Sequence, residues 1–198
     1  MKLIAVALLF ALDTVLDLAK AIDLTPHEIM LSDDGPPVKR YFFQDGDKRL
    51  SFHIDEKMTV RGGSEAAVFG FNDLKTGMVS LLKSKMSSEV PFDQEHLESY
   101  RATARTFLPT NATNVLLAEE RLDAIAINGW TSQQFIFTYT SSGVPHRHSI
   151  TFFNYSEKEQ IILNVRASAT DYEKAYQRGY RILNSLSDLP ISGNSGPT

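Results

Sequence analysis

The sequence predicts an α+β protein built on an antiparallel β-sheet of about six to eight strands. Two observations carry that prediction. Segments of alternating apolar and polar residues follow one another through most of the chain, separated by turns too short for anything but antiparallel neighbours. Only two stretches change to helical spacing, one in mid-chain and one near the end. At 198 residues and 42% hydrophobic, the chain can bury a core of its own.

The elements read in order as follows. Residues 1–21, MKLIAVALLFALDTVLDLAKA, have the form of an export leader. Lys2 opens a positive start, residues 3–12 are apolar, and Ala19-Lys20-Ala21 offers the small-x-small pattern that a leader peptidase accepts. The apolar run is too short to span a bilayer. Loss of residues 1–21 would remove Lys2, Lys20, Asp13 and Asp17, leaving the net charge at −4. The expected product is exported, periplasmic or extracellular, with no stable transmembrane span.

Asp33-Asp34-Gly35-Pro36-Pro37 is turn chemistry. Residues 38–44 are rich in β-formers, Asp45-Gly46-Asp47 is a tight turn, and residues 49–55 alternate with Leu50, Phe52 and Ile54 on one face. Arg61-Gly62-Gly63 reads as a further turn. Residues 66–71 and 78–84 read as strands around Asn72-Asp73; the second also fits a helix, but its β neighbours favour strand. The mid-chain helix is PFDQEHLESYRATARTFLP, with Asp93 as its N-cap and Pro109 as its stop. Residues 115–120 and 123–127 are short β stretches before the Asn128-Gly129 turn. Three longer strands follow over residues 131–140, 145–155 and 160–168. The closing helix is TDYEKAYQRGYRILNSL, with Thr170 and Glu173 spaced as a capping box. Gly179 in its middle costs about 1 kcal/mol against Ala, so a close approach of helix to sheet is expected there. Residues 190–198 read as a disordered tail, leaving one domain over residues 22–189.

The closing segment, residues 143–186, resembles the C-terminal half of the PsbP-like superfamily. The likeness lies in Gly143 ahead of Ile150-Thr151-Phe152-Phe153, the second apolar strand, and the helix running from Asp171-Tyr172 to Asn184-Ser185. It covers about residues 38–189 in element order, and its motifs are packing motifs. The resemblance implies helices on both faces of the sheet, an α/β/α sandwich. That superfamily includes extrinsic photosystem II subunits, a Ran-binding import factor and bacterial exported proteins, and the leader fits the last branch. The ion sites of the photosystem members and the Ran-contacting surface match no residues here.

Composition narrows the chemistry. A net charge of −4 lacks the Lys/Arg excess of a nucleic-acid binder. With no cysteine there are no disulfides and no thiolate sites. No hydrolase, zincin or phosphate-loop motif occurs, so no catalytic residue and no cofactor is assigned.

Three residue groups remain as candidates. His146 and His148 leave one face of a strand about 7 Å apart, which suits two ligands of one metal. A third ligand would have to come from His53, Asp55 or Glu120; otherwise the pair belongs to an ordinary strand running into the core. Tyr172, Tyr176 and Tyr180 form a ladder at i, i+4 and i+8, either core rings with wet hydroxyls or a partner-binding stripe. Asp33-Asp34 and Asp45-Gly46-Asp47 lack the spacing of a calcium loop. Glu119 and Glu120 face opposite ways on a strand. The favoured reading is a non-enzymatic exported binding or assembly module with a protein partner in the cell envelope, acting through a sheet edge or helix face. The alternatives are a metal-assisted hydrolase using His146 and His148, and a small-molecule carrier needing a roomy apolar cleft.

Overall fold

The computed structural model describes residues 21–31, 36–124 and 129–189. Residues 1–20 of the leader, Asp33-Asp34, most of the expected β stretch 123–127 with Asn128, and residues 190–198 lie outside these. The described chain is mostly β, with two antiparallel sheets and two helices.

The smaller sheet comprises β1 (Ile22–Leu31), β2 (Val38–Asp45), β3 (Lys48–Phe52) and β11 (Ser187–Asp188), in the order β1-β2-β3-β11. The larger comprises β4 (Met58–Gly63), β5 (Ala66–Phe71), β6 (Met78–Lys85), β7 (Thr113–Leu122), β8 (Ser132–Ser141), β9 (Val144–Ser156) and β10 (Glu159–Ser168). Its order is β4-β5-β6-β10-β9-β8-β7. The helices are α1 (Leu97–Arg105) and α2 (Tyr172–Asn184).

The two-residue period explains how the large sheet splits its side chains. Phe135, Phe137, Ile150, Phe152 and Ile162 form one cluster with Tyr100 and Ala104 of α1. Their strand neighbours Ile136, Phe153, Ile161, Leu163 and Val165 belong to a second, larger cluster. That second cluster holds Ala175, Ile182 and Leu183 of α2, and also Ile22, Leu24, Phe43 and Phe52 of the small sheet.

The expectation of one sheet in an α/β/α sandwich is therefore corrected. Strands β1, β2 and β3 form a second sheet with the late β11, and that sheet shares the larger core with α2. The sequence reading missed β1, whose Pro26 argues against a strand. Here β1 is an edge strand with a register shift between Asp23 and His27, where the absent N–H of proline costs nothing. Arg61-Gly62-Gly63 is not a turn but the end of β4, paired with β5. Gly62 faces Ala67 so closely that an added Cβ would sit 2.3 Å from the Ala66 carbonyl oxygen.

The helix ends also differ from expectation. Asp93 does not cap α1; its Oδ1 accepts from the backbone N–H of His96 at 3.0 Å, one turn before the helix begins. The Thr170–Glu173 capping box does not form. The Thr170 hydroxyl bonds that of Ser168 at 3.0 Å, and Glu173 accepts from Gln177 instead. Asp171 occupies the N-cap, and its Oδ2 accepts from the Thr76 backbone N–H at 3.0 Å, tying α2 to the loop before β6. On the helix flank, the Arg178 fork binds Asp73 at 2.6 and 2.7 Å. That pairing holds the Asp73 carboxyl down at about 2.

Gly179 does mark a close approach. A Cβ there would lie 3.1 Å from methyls of both Val165 and Val79, each fully buried in the two strands beneath. Alanine would gain about 1 kcal/mol of helix propensity, but overpacking against two stiff β-branched residues costs about 1–3 kcal/mol. Gly179→Ala is therefore expected to lower the melting temperature. A rise would mean that α2 can lift from the sheet without loss.

Candidate functional site

An open cleft lies where chain segments far apart in sequence meet. The β2–β3 turn brings Asp45 and Lys48, the β9–β10 turn brings Tyr155, Lys158 and Glu159, and β6 ends at Lys85. Trp130 stands on the wall, and β11 closes the base through Leu186 to Asp188. The open cleft holds about 1330 Å³.

Its aromatic wall is fixed. Trp130 packs edge-on against Tyr155 at 5.1 Å and Phe153 at 6.2 Å. The Tyr155 hydroxyl donates to Asp45 Oδ2 at 2.5 Å, joining the large sheet to the small one. Burial raises the Tyr155 phenol well above its ordinary range, and the adjacent Asp45 carboxylate pushes it further. Tyr155 thus stays a neutral donor and no base. Glu159 is buried at the start of β10; its Oε2 accepts the Ile22 backbone N–H at 3.3 Å. By contrast Lys48, Lys85 and Lys158 are exposed, and none of the three makes an ion pair among the described residues. Asp45 is bonded to Tyr155 and one oxygen of Glu159 to Ile22, while the three ammonium groups make no ion pair among the described residues. Such a lining suits a ligand with a flat or apolar body and an anionic group.

The paired histidines sit at the opposite end of the β9–β10 hairpin. They do share a face, and both flank Tyr139. The His146 ring stacks on it at 5.4 Å, and the His148 ring lies 6.2 Å away. His148 is fully buried and its Nε2–H donates to Asn164 Oδ1 at 2.5 Å. Burial drives its pKa down to about 4, aided by the charges of Arg166 and His146 and opposed only in part by Asn164. His146 is half-buried and lines two smaller clefts of about 420 and 370 Å³. No group of three His, Asp or Glu side chains with metal-holding geometry occurs among the described residues. The two carboxylates considered as a third ligand are engaged elsewhere. Asp55 pairs with Arg178 at 3.3 Å and Glu120 with Arg101 at 2.8 Å, while His53 is exposed beyond the end of β3.

The tyrosine ladder turns into the larger core. Tyr172 is buried, with its phenol pushed up to about 12 by that burial, and stacks on Tyr176 at 5.7 Å. Tyr176 and Tyr180 pack partly buried against the same cluster. Glu119 and Glu120 do diverge, Glu119 to Arg121 and Arg147 and Glu120 to Arg101.

Sequence reasoning missed the cleft. Its one local signal was a lysine at the tip of each of two hairpins, Lys48 and Lys158, beside the chain's single tryptophan.

The architecture defines the class: a mostly β protein of two antiparallel sheets and two helices. No family model and no curated protein matches the sequence. Among solved structures, LpqN of Mycobacterium tuberculosis, involved in cell envelope biogenesis, matches at 11% identity over 83% of this chain and 92% of that one, with a TM-score of 0.52. The cyanobacterial PsbP of Synechocystis sp. PCC 6803 matches at 10% over 83% and 93%, with a TM-score of 0.44. A Pseudomonas aeruginosa protein of unknown function, PA94, matches at 11% over 83% and 99%, also at 0.44. At such identities the likeness to LpqN concerns the fold alone. No described helix is long and apolar enough to cross a membrane.

Proposed function

We propose that this protein is a non-enzymatic, exported binding module of the cell envelope, and that its ligand sits in the cleft between the two sheets. On this reading residues 1–21 are a leader, residues 22–189 act as one domain and residues 190–198 are a tail. The leader pattern and the envelope role of LpqN support the location. The observation that carries the binding role is a trio of exposed lysines, without an ion pair among the described residues, around a fixed aromatic wall.

The cleft is preferred to a sheet edge as the seat of binding. Strand β7 is an outer strand of the large sheet, but its pairing breaks register between Thr113 and Leu116 and again between Leu117 and Glu119. Bulges and charged side chains of this kind blunt an edge against further strands. A small or medium-sized amphipathic anion fits the cleft better than a protein strand fits that edge.

The chain has one tryptophan, and it lines the site. Titration with 8-anilinonaphthalene-1-sulfonate, an anion on a flat apolar body, should quench Trp130 saturably at micromolar concentrations. Lys48→Ala with Lys158→Ala should weaken the midpoint about tenfold, the loss expected for one or two charge-assisted contacts. Quenching that never saturates, or a midpoint indifferent to both lysines, argues against the cleft as the binding seat.

A further inference from the structure

The first described strand begins with a residue that is unusually well enclosed. Ile22 is fully buried, although Ala21 before it is exposed. Its carbonyl accepts from Lys83 Nζ at 2.8 Å, and Lys83 in turn pairs with Glu65 at 3.2 Å. Its backbone nitrogen meets Glu159, which is only 8% exposed. Glu159 Oε2 accepts the single amide proton of Ile22 at 3.3 Å, while Oε1 is buried with no hydrogen-bond partner among the described residues. A carboxylate left half-satisfied in a buried site is costly. One amide N–H cannot serve both oxygens, whereas an ammonium carries three protons.

The sequence supplies the route to that ammonium. Ala19-Lys20-Ala21 places the expected leader cleavage at the bond between Ala21 and Ile22. We propose that cleavage there creates an α-ammonium at Ile22 that locks onto Glu159, so that removal of the leader completes the folded core; this rests on the export reading above. In the step, water and the leader peptidase of the export machinery hydrolyse the Ala21–Ile22 peptide bond. Ala21 leaves with the new carboxylate and the Ile22 nitrogen takes a proton. Because Ile22 is enclosed in the folded chain, cleavage comes before folding, as for a leader removed during translocation. The mature amine then enters the core paired, with both oxygens of Glu159 supplied. Ala21, which lines the cleft, leaves it as well.

Two measurements test this separately. Intact mass of the full chain expressed with export in a bacterial host should show a mature protein beginning at Ile22. An uncleaved chain, or a start elsewhere, overturns the export reading and the proposal together. Independently, a chain released from a cleavable fusion to begin at Ile22 should melt roughly 2–6 °C above one that begins at Ala21. Glu159→Gln should abolish that difference, and acetylating the Ile22 amine with Glu159 intact should abolish it too. Equal melting of the two starts, or a gap that survives both changes, overturns the ion pair while leaving processing at Ala21 in place.

Discussion

Phe52→Ala is expected to cost about 3–5 kcal/mol of unfolding free energy, the range for emptying a well-packed aromatic site. Phe52 is fully buried in β3 and stacks on Phe43 at 4.4 Å and Tyr41 at 5.9 Å within the small sheet. Across the layer it meets Phe69 of β5 edge-on at 5.8 Å. It is thus a contact by which one sheet holds the other, and neighbours on two separate sheets cannot all collapse into the space it leaves. Phe42, one strand away, points outward and packs on His27 at 5.1 Å, under the Arg49 guanidinium. Truncating Phe42 should cost far less, under about 1.5 kcal/mol. Urea unfolding of the two variants makes the comparison. Similar small losses at both positions would show that the small sheet is not cemented to the large one through this ring.

The second large effect is a dependence of stability on pH centred on His148. Its folded pKa of about 4 lies below the ordinary 6.5 because charging it would bury an ion. Between these values the unfolded chain binds the proton and the folded one does not, so acid favours unfolding. The contribution is complete above pH 6.5 and falls away as the pH drops towards 4. A gap of about two and a half units corresponds to about 3 kcal/mol. Unfolding free energies at pH 7 and pH 4.5 should therefore differ by most of that amount in the native chain. His148→Phe should flatten this slope, whatever it does to absolute stability. The carboxylates held low by their partners, such as Asp73 against Arg178, lose their stabilisation only at still lower pH. A slope unchanged by His148→Phe would assign the acid sensitivity to another group.

The same histidine shows how far the sequence could be read. The i, i+2 spacing correctly placed His146 and His148 on one face, with Ile150 and Phe152 further along it. It did not reveal Asn164, which lies on the neighbouring strand and whose Oδ1 accepts a hydrogen bond from His148 Nε2–H. In α2 the apolar stripe and the tight fit at Gly179 were both legible, since each follows from the helical repeat. The capping box was not, because Thr170 found a nearer partner in Ser168. The binding cleft left almost no trace, for its wall joins Tyr155 to Asp45 across 110 positions.

By itself the sequence determined the local elements: the runs with a two-residue repeat, the two helices with a 3.6-residue repeat, and the turns that fold strands back antiparallel. These depend on which face of a segment is apolar, a property carried within a few residues. Tertiary structure alone decided that the strands divide into two sheets, that β1 and β11 join the smaller one, and that two hairpin turns and the end of β6 meet around Trp130. Strands of both sheets carry the same alternation, and so their pairing partners are chosen by the free energy of burying whole faces together. Contacts such as Ile22 with Glu159, 137 residues apart, exist only once that choice is made.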